Sequence, residues 1–461
     1  MTASASASAA PVRRLFGTDG VRGVANSELS PQVALALGAA AGLFLRDGDR
    51  ADQTVVVGRD PRISGDVLES ALVAGLLSQG VSVVSVGVVP TPGVAWITRQ
   101  RGAAFGIVIS ASHNPVQDNG IKFFGPNGKK LPDDTEARIE QFMEGWEARP
   151  RPSGPQVGRV ARDPGPVDGY AQHLVESAQG IRLDGLRLVL DGANGAASFL
   201  TQPVFEELGA IVETIFCEPD GVNINAGCGS THPQTLAARV RETSADAGAA
   251  FDGDADRVIL ADAQGRIFDG DRILYALGVH LAQQHRLNNG VVVGTVMSNL
   301  GLEKALEKHQ IRLVRAPVGD RYVFEQMTRH GANLGGEKSG HILLPDLTPT
   351  GDGMLTAIAV LKLVQESGKS LSEWADEMPE YPQKLVSVYV RERDGWNTHP
   401  AVAEALHFAE TTLAGKGRLV VRPSGTEKMV RVMAEGPDES EVETAVGAVV
   451  DALRAHLGVQ P

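Results

Sequence analysis

The chain has 461 residues, 43% hydrophobic and 21% charged, which is ordinary for a globular protein and too long for one core. A net charge of −13 excludes partners bound through a broad basic surface, nucleic acid above all, and makes any anion site a local cluster of basic residues. No apolar run reaches the length of a membrane span. The opening Met1–Pro11 stretch has neither a basic head nor an apolar centre, so it reads as a disordered tail and not as a secretory signal. Two cysteines, Cys217 and Cys228, show neither metal-ligand spacing nor a disulfide framework, which points to the cytoplasm.

From Val55 onward strands alternate with helical stretches, the pattern of an α/β protein with largely parallel pairing, and the pattern runs three times. The first pass predicts a strand at 54–58, a helix near 66–79, a strand at 81–86 and an apolar strand at 105–109. That last strand stops in Ser110-Ala-Ser-His-Asn-Pro115, and Asp118-Asn-Gly120 reads as a turn into a further strand at 121–124. Ser112, at the loop tip beside His113 and upstream of Lys122, is placed to act as a nucleophile, although Ser-His-Asn-Pro is also good turn chemistry. The second pass predicts strands at 186–190 and 211–216, a helix near 203–208, and a strand at 249–251 ending in Asp252-Gly-Asp-Ala-Asp-Arg257. The third predicts strands at 291–295 and 311–316, a helix near 302–308, and a strand at 332–334 followed by Gly335-Gly-Glu-Lys-Ser-Gly-His341. Polar loops at the same point of three cycles suggest one shared cleft. Linkers are expected at 149–163 and 369–382. Beyond the second come a strand at 384–390, a helix near 398–413, a strand at 418–421 and the loop Arg422-Pro-Ser-Gly-Thr-Glu427.

Asp252, Asp254 and Asp256 alternate with small residues, so their carboxylates can converge on one hard cation. The loop starts like an EF-hand but has Arg257 and Ala263 where that motif demands Gly and Glu. Few protein ligands and room for a phosphate oxygen favour Mg2+ over Ca2+. The Arg422 loop, with Arg431 on the next strand, is a phosphate clamp by composition, with a plain turn as the alternative. Glu337 and Ser339 suit vicinal sugar hydroxyls, and His341 can handle a proton near neutral pH. Arg22, in Phe16-Gly-Thr-Asp-Gly-Val-Arg-Gly23, is a further candidate phosphate ligand. Walker A, Gly-x-Gly-x-x-Gly and Gly-x-Ser-x-Gly patterns are absent from the sequence.

Taken together, the Phe16–Gly23 head, the Ser112 loop with its Asp118–Phe124 extension, the Asp252–Arg257 loop, Val318-Gly-Asp-Arg-Tyr-Val323, the Gly335–His341 loop and the Arg422–Glu427 loop resemble the α-D-phosphohexomutases. The resemblance implies three similar α/β/α domains with mixed sheets and a smaller C-terminal α+β domain around a central cleft. A tail would occupy 1–10. The phosphoserine loop would fall in 11–155, the metal loop in 156–260, the sugar loop in 261–375 and the phosphate loop in 376–461. It implies an isomerase that moves a phosphoryl group within a hexose phosphate through a phosphoserine and a 1,6-bisphosphate. Glucosamine 6- and 1-phosphates are the expected pair, glucose or mannose phosphates the alternative, and a phosphoserine-type phosphatase a third reading.

The implied roles are these. Ser112 carries the phosphoryl group and, with Asp252, Asp254 and Asp256, holds one Mg2+ per chain. Arg22, His113, Lys122 and Arg257 surround the transferring group, and His341 or Lys122 serves as general acid or base. Glu337 and Ser339 bind sugar hydroxyls, while Arg422, Ser424, Gly425, Thr426 and Arg431 grip the other phosphate. Glucosamine 1,6-bisphosphate or glucose 1,6-bisphosphate would prime the enzyme. The partner is a small phosphosugar, with no nucleic acid or membrane, and the protein a monomer or homodimer. Three positions depart from the family pattern: Ala255 stands for Gly, Lys338 for Gln and Lys428 for Pro. Of these, Lys338 bears on the choice of sugar.

Overall fold

Four sheets follow one another along the chain in the computed structural model, which describes residues 15–17, 19–48, 54–392, 395–424 and 428–459. The tail expected at 1–10, together with Gly425 and Thr426, lies outside the described residues.

Three of the sheets repeat one arrangement. In the first, Val55–Arg59 runs parallel between Val83–Val88 and Phe105–Ile109, and Asp118–Phe124 returns antiparallel beside the latter. In the second, Arg187–Asp191 lies parallel between Ile211–Ile215 and Ala247–Phe251, with Val258–Asp262 returning. The third places Val291–Thr295 between Arg312–Ala316 and the short Gly335–Gly336, with Ile342–Leu343 returning. Each polar loop is therefore the link between the last parallel strand and its antiparallel return. Beyond the carboxyl ends of parallel strands is where α/β sheets place their ligands. The fourth sheet is wholly antiparallel, with Met429–Glu435 between Gln383–Tyr389 and Arg418–Pro423. Helices Pro400–Leu413 and Glu439–His456 cover it.

The structure departs from the sequence reading at five places. Asp118-Asn-Gly120 is strand and not turn, because Val21–Val24 pairs antiparallel with it and the Ser110 amide donates to the Gly120 carbonyl at 2.9 Å. The linker at 149–163 contains Val160–Arg162, an edge strand of the first sheet, so that sheet extends past residue 155. Val258–Asp262 runs on across the division at 260/261, and Ile267–Phe268 extends the same sheet. The closing strand of the third pass falls at Gly335–Gly336 and not at 332–334. Finally, the linker at 369–382 holds helix Leu371–Glu377, started by a capping box in which Ser370 and Glu373 each bond the other's backbone.

One continuous apolar core runs from Val94 and Phe124 through Tyr170 and Phe251 to Leu334 and Trp374, which packs the first three domains together. The fourth domain has its own core, built on Val388, Val430, Val402 and Val446. Among the described residues no helix is long and apolar enough to cross a membrane.

Helix Gly353–Ser367 shows how the domains are locked. Its N-cap, Asp352, is buried; it accepts from Leu355 N at 3.0 Å and from the Tyr170 hydroxyl of the second domain at 2.8 Å. Asp352→Ala removes the cap and strands a buried hydroxyl. The expected cost is about 2 kcal/mol of stability, read as a lowered melting temperature in a thermal scan.

Candidate active site

Strand Phe105–Ile109 forms because five apolar residues can be buried on both faces, and all five are. Its direction delivers Ser112 into the interior, where the residue is 1% exposed and adopts φ +52°. The Ser112 Oγ donates to Asp252 Oδ2 at 2.5 Å and lies 3.2 Å from His113 Nδ1. Burial, with Arg257 and Arg22 nearby, lowers His113 to about 4, so the ring is neutral at physiological pH.

Asp252, Asp254 and Asp256 are all buried, and one carboxylate oxygen from each lies within 4.8 Å of the others. Ala255 stands between them at φ +56°, a left-handed position that a glycine would occupy without strain. Lys122 Nζ donates to Asp254 Oδ2 at 2.9 Å and lies 3.9 Å from Asp256, while Thr91 Oγ1 donates to Asp254 at 2.7 Å. Arg257 donates its amide to Asp252 at 3.2 Å and holds its Nε 3.7 Å from Asp256. Burial pushes the Asp252 carboxyl up, and Asp256 and Asp254 push it the same way. Burial acts upward on Asp256 too, but His341, Lys122 and Arg257 outweigh it and hold that carboxyl well below the usual range. Asp254 Oδ1 is buried with no hydrogen-bond partner, whereas Asp256 Oδ1 lies 3.5 Å from His341 Nδ1 and 3.7 Å from Arg257 Nε. Three hard, anionic side chains brought this close, with a buried oxygen of Asp254 left unpartnered, fit a divalent cation.

A cavity of about 480 Å3 opens above this floor, bounded by Asp19, Arg22 and His113 of the first domain, Asp256 and Arg257 of the second, and Glu337 and His341 of the third. Glu337 is held there by Gly319 N, which donates to its Oε1 at 2.8 Å. The sugar-loop turn depends on Gly340, at φ +90°, where a Cβ would sit 2.0 Å from the Val258 carbonyl. Ser339 is exposed beside it.

Three residues of the cleft were not singled out from the sequence. Lys130 Nζ lies 2.5 Å from Asp19 Oδ1 and 2.8 Å from Asp320 Oδ2, bridging the first and third domains. Lys122 reaches Asp19 at 3.1 Å, and His341 lies 3.5 Å from Asp256 and 3.8 Å from Asp320. A closed circuit of alternating charge thus surrounds the floor of the cleft. Burial opposes a charge on His341, yet Asp256, Asp320 and Glu337 overcome it and raise the imidazole to about 9. Lys122 is likewise held in its charged form, Asp19 and Asp254 outweighing the burial that acts against it. Asp19 and Asp320 lie inside segments that carry the family resemblance, whereas nothing in the sequence marks Lys130.

Among the described residues, those of the fourth domain do not line this cavity. Arg422 and Arg431 stand directly opposite each other on paired strands. Burial and then Arg431 lower the Arg422 guanidinium, and Arg431 Nε is buried without a hydrogen-bond partner. Two facing guanidiniums repel unless an anion lies between them, which suits a phosphate. Ser424 is buried beside them, its amide donating to Met429 O at 2.8 Å. Lys338 turns away from the cavity: its ammonium lies 3.1 Å from Glu380 and 3.3 Å from Gln383, at the joint with the fourth domain.

Four profiles of one family match the chain in order. Phosphoglucomutase/phosphomannomutase alpha/beta/alpha domain I covers residues 13–150, domain II 168–265, domain III 269–381 and the C-terminal domain 385–452. The chain belongs to the phosphoglucomutase/phosphomannomutase family, as its motifs imply. Among similar proteins, the phosphoglucosamine mutase of Brevibacillus brevis is 50% identical over 446 residues, 96% of this chain and 99% of its own length. That of Streptococcus gordonii is 48% identical over 450 residues, 97% of this chain and 100% of its own. Among solved structures, a phosphoglucomutase/phosphomannomutase family protein from Burkholderia thailandensis superposes with a TM-score of 0.79 at 25% identity, covering 96% of this chain and 99% of the other.

Proposed function

We propose that this chain is a cytoplasmic enzyme that interconverts glucosamine 6-phosphate and glucosamine 1-phosphate through a phosphorylated Ser112 and a 1,6-bisphosphate. The observation that carries the reading is the Ser112 hydroxyl, bonded to one member of a buried carboxylate triad and next to His113, which lines a cleft edged with basic groups. The choice of glucosamine rests on near full-length similarity to phosphoglucosamine mutases.

A Mg2+ ion held by Asp252, Asp254, Asp256 and a phosphoserine oxygen would neutralise the serine phosphate and make it a competent donor. The chain supplies the rest. Arg22, Arg257 and Lys122 face the charge that spreads over the transferring group, and His113 contacts Oγ as a neutral ring. Glu337 and Ser339 take sugar hydroxyls and set the acceptor oxygen towards Ser112. The bond from phosphorus to Ser112 Oγ breaks as one to the sugar oxygen forms. The sugar hydroxyl's proton ends on Ser112 Oγ as the serine is released, relayed through the phosphoryl oxygens, and His341, held in its charged form, serves as an acid in that exchange. The bisphosphate then turns, so that its other phosphate meets Ser112 and returns a phosphoryl group. Meanwhile Arg422, Ser424, Gly425, Thr426 and Arg431 grip the phosphate that stays on the sugar.

The deciding assay gives purified protein Mg2+, glucose 1,6-bisphosphate and, separately, glucosamine, glucose and mannose 6-phosphates, and follows products by phosphorus NMR. The highest kcat/KM is expected for glucosamine 6-phosphate. Release of inorganic phosphate at the rate of sugar turnover would instead favour a phosphatase, and no isomerisation of any sugar would sink the reading.

A further inference from the structure

Ser112 keeps a left-handed backbone, φ +52°, which any residue with a Cβ adopts only when its surroundings impose it. What imposes it is a set of buried donors beneath the loop. Arg62, fully buried and paired with Asp60 at 2.9 Å, gives Nη2 to the carbonyls of Ser112 (3.0 Å) and Asn114 (2.8 Å), and Nη1 to that of Pro115 (2.6 Å). The Ser112 amide donates to Ser110 Oγ at 2.9 Å, and that hydroxyl donates to Asp60 at 2.6 Å. All of these belong to the serine's own domain.

One donor comes from elsewhere. Asn225, in the second domain, gives Nδ2 to Ser112 O at 2.9 Å and to Asn114 O at 3.1 Å. Its own backbone is fixed: its amide donates to Ala193 O at 2.9 Å, and Ala193 N donates to Asp191 Oδ1 at 2.8 Å, at the end of strand Arg187–Asp191. Gly253, between the first two aspartates, makes room for this contact. A Cβ there would lie 2.6 Å from Ser112 O and 2.9 Å from Asn225 Nδ2. The metal loop and the serine loop are therefore fitted together across Asn225.

We propose that Asn225 is a positioning residue for phosphoryl transfer: by taking the Ser112 carbonyl it registers the serine of the first domain against the carboxylate triad of the second, so that Oγ and its phosphate meet the metal position. The inference rests on the reading of Ser112 as phosphoryl carrier. It accounts for two features that the chemistry alone leaves open, the left-handed serine and the glycine between metal ligands.

The test measures phosphate incorporation into Ser112 from glucose 1,6-bisphosphate with Mg2+, by quenched intact mass, in wild type, Asn225→Ala and Asn225→Asp. Asn225→Ala is expected to slow incorporation and lower kcat by about 10- to 100-fold with KM nearly unchanged, as a reacting atom moved by an ångström does. Asn225→Asp is expected to be slower still, because a carboxylate would face two carbonyl oxygens. Asn225→Ser, which keeps a shorter donor, falls between alanine and wild type and serves if the aspartate variant does not fold. Incorporation by Asn225→Ala at the wild-type rate overturns the proposal while leaving the phosphoserine reading standing. Wild type that takes up no phosphate on Ser112 overturns that reading itself.

Discussion

Ser112→Ala is expected to leave a folded protein with no measurable turnover, a loss of at least about 10^4-fold. The size of the effect follows from the lack of a substitute. Among the described residues, Thr91 Oγ1 touches the triad and Ser110 Oγ touches Ser112, and both are committed: Thr91 Oγ1 donates to Asp254 at 2.7 Å, and Ser110 Oγ to Asp60 at 2.6 Å. His113 touches the Ser112 hydroxyl but is a neutral ring beside two arginines, poorly placed to carry a phosphoryl group itself. The variant also loses the 2.5 Å bond to Asp252, which leaves a buried carboxylate short of a donor. A metal-free melt should therefore show a fall of about 1–3 kcal/mol unless Asp252 takes up a proton. Intact mass after incubation with a bisphosphate sugar would find no added phosphate. Residual activity within tenfold of wild type would mean that the phosphoryl group travels by another residue.

Chelating divalent cations is expected to abolish turnover and lower the melting temperature, and Mg2+ at about 100 times its dissociation constant restores roughly 2.7 kcal/mol. Behind this lies the charge on three carboxylates whose oxygens lie within 4.8 Å of one another. At an effective dielectric near 20 each such pair repels by on the order of 3 kcal/mol, and Lys122 offsets only part of that. Asp252 bears most of the strain, since burial and then its two neighbours push its carboxyl upward. Asp252→Asn should accordingly raise the melting temperature of the metal-free protein and erase its response to Mg2+. The asparagine can still accept from Arg257 N, so the loop loses a charge and keeps a bond. The pH dependence has a definite sign. A carboxyl with a folded-state pKa above its unfolded value stabilises below the unfolded value, and that contribution is lost as pH rises through the folded one. Metal-free wild type should therefore lose stability from about pH 4 upward relative to Asp252→Asn. A variant less stable than wild type without metal would contradict the charge argument.

Strand-end loops were legible because they break a strong local pattern: Phe105–Ile109 and Ala247–Phe251 are apolar runs stopped by polar, glycine-bearing segments. The Asp118–Gly120 stretch misled for the same local reason. Asp-Asn-Gly is turn chemistry, and only pairing with Val21–Val24, far away in sequence, makes it strand. Lys130 and Asn225 went unseen because their roles exist only between domains: a lysine becomes a bridge when Asp19 and Asp320 are folded to either side of it. Nothing in the sequence singles out Arg62, yet it is fully buried on account of Asp60 and three carbonyls. Lys338 shows the opposite case, since its place in the sugar loop suggested a contact with sugar while its side chain reaches Glu380 and Gln383.

The fourth domain meets the rest through polar contacts: Glu435 accepts from Leu300 N at 3.1 Å, Arg418 Nη2 donates to Ser298 O at 3.0 Å, and Asn299 bonds the backbone of Tyr381. Among the described residues no apolar cluster spans this joint, and interfaces of that kind leave domains free to shift relative to one another. The span between Arg431 and Ser112 therefore rests on polar contacts and not on a shared apolar core. With Arg431 in its proposed role as holder of the standing phosphate, those contacts would set how far the other end of the sugar lies from Ser112.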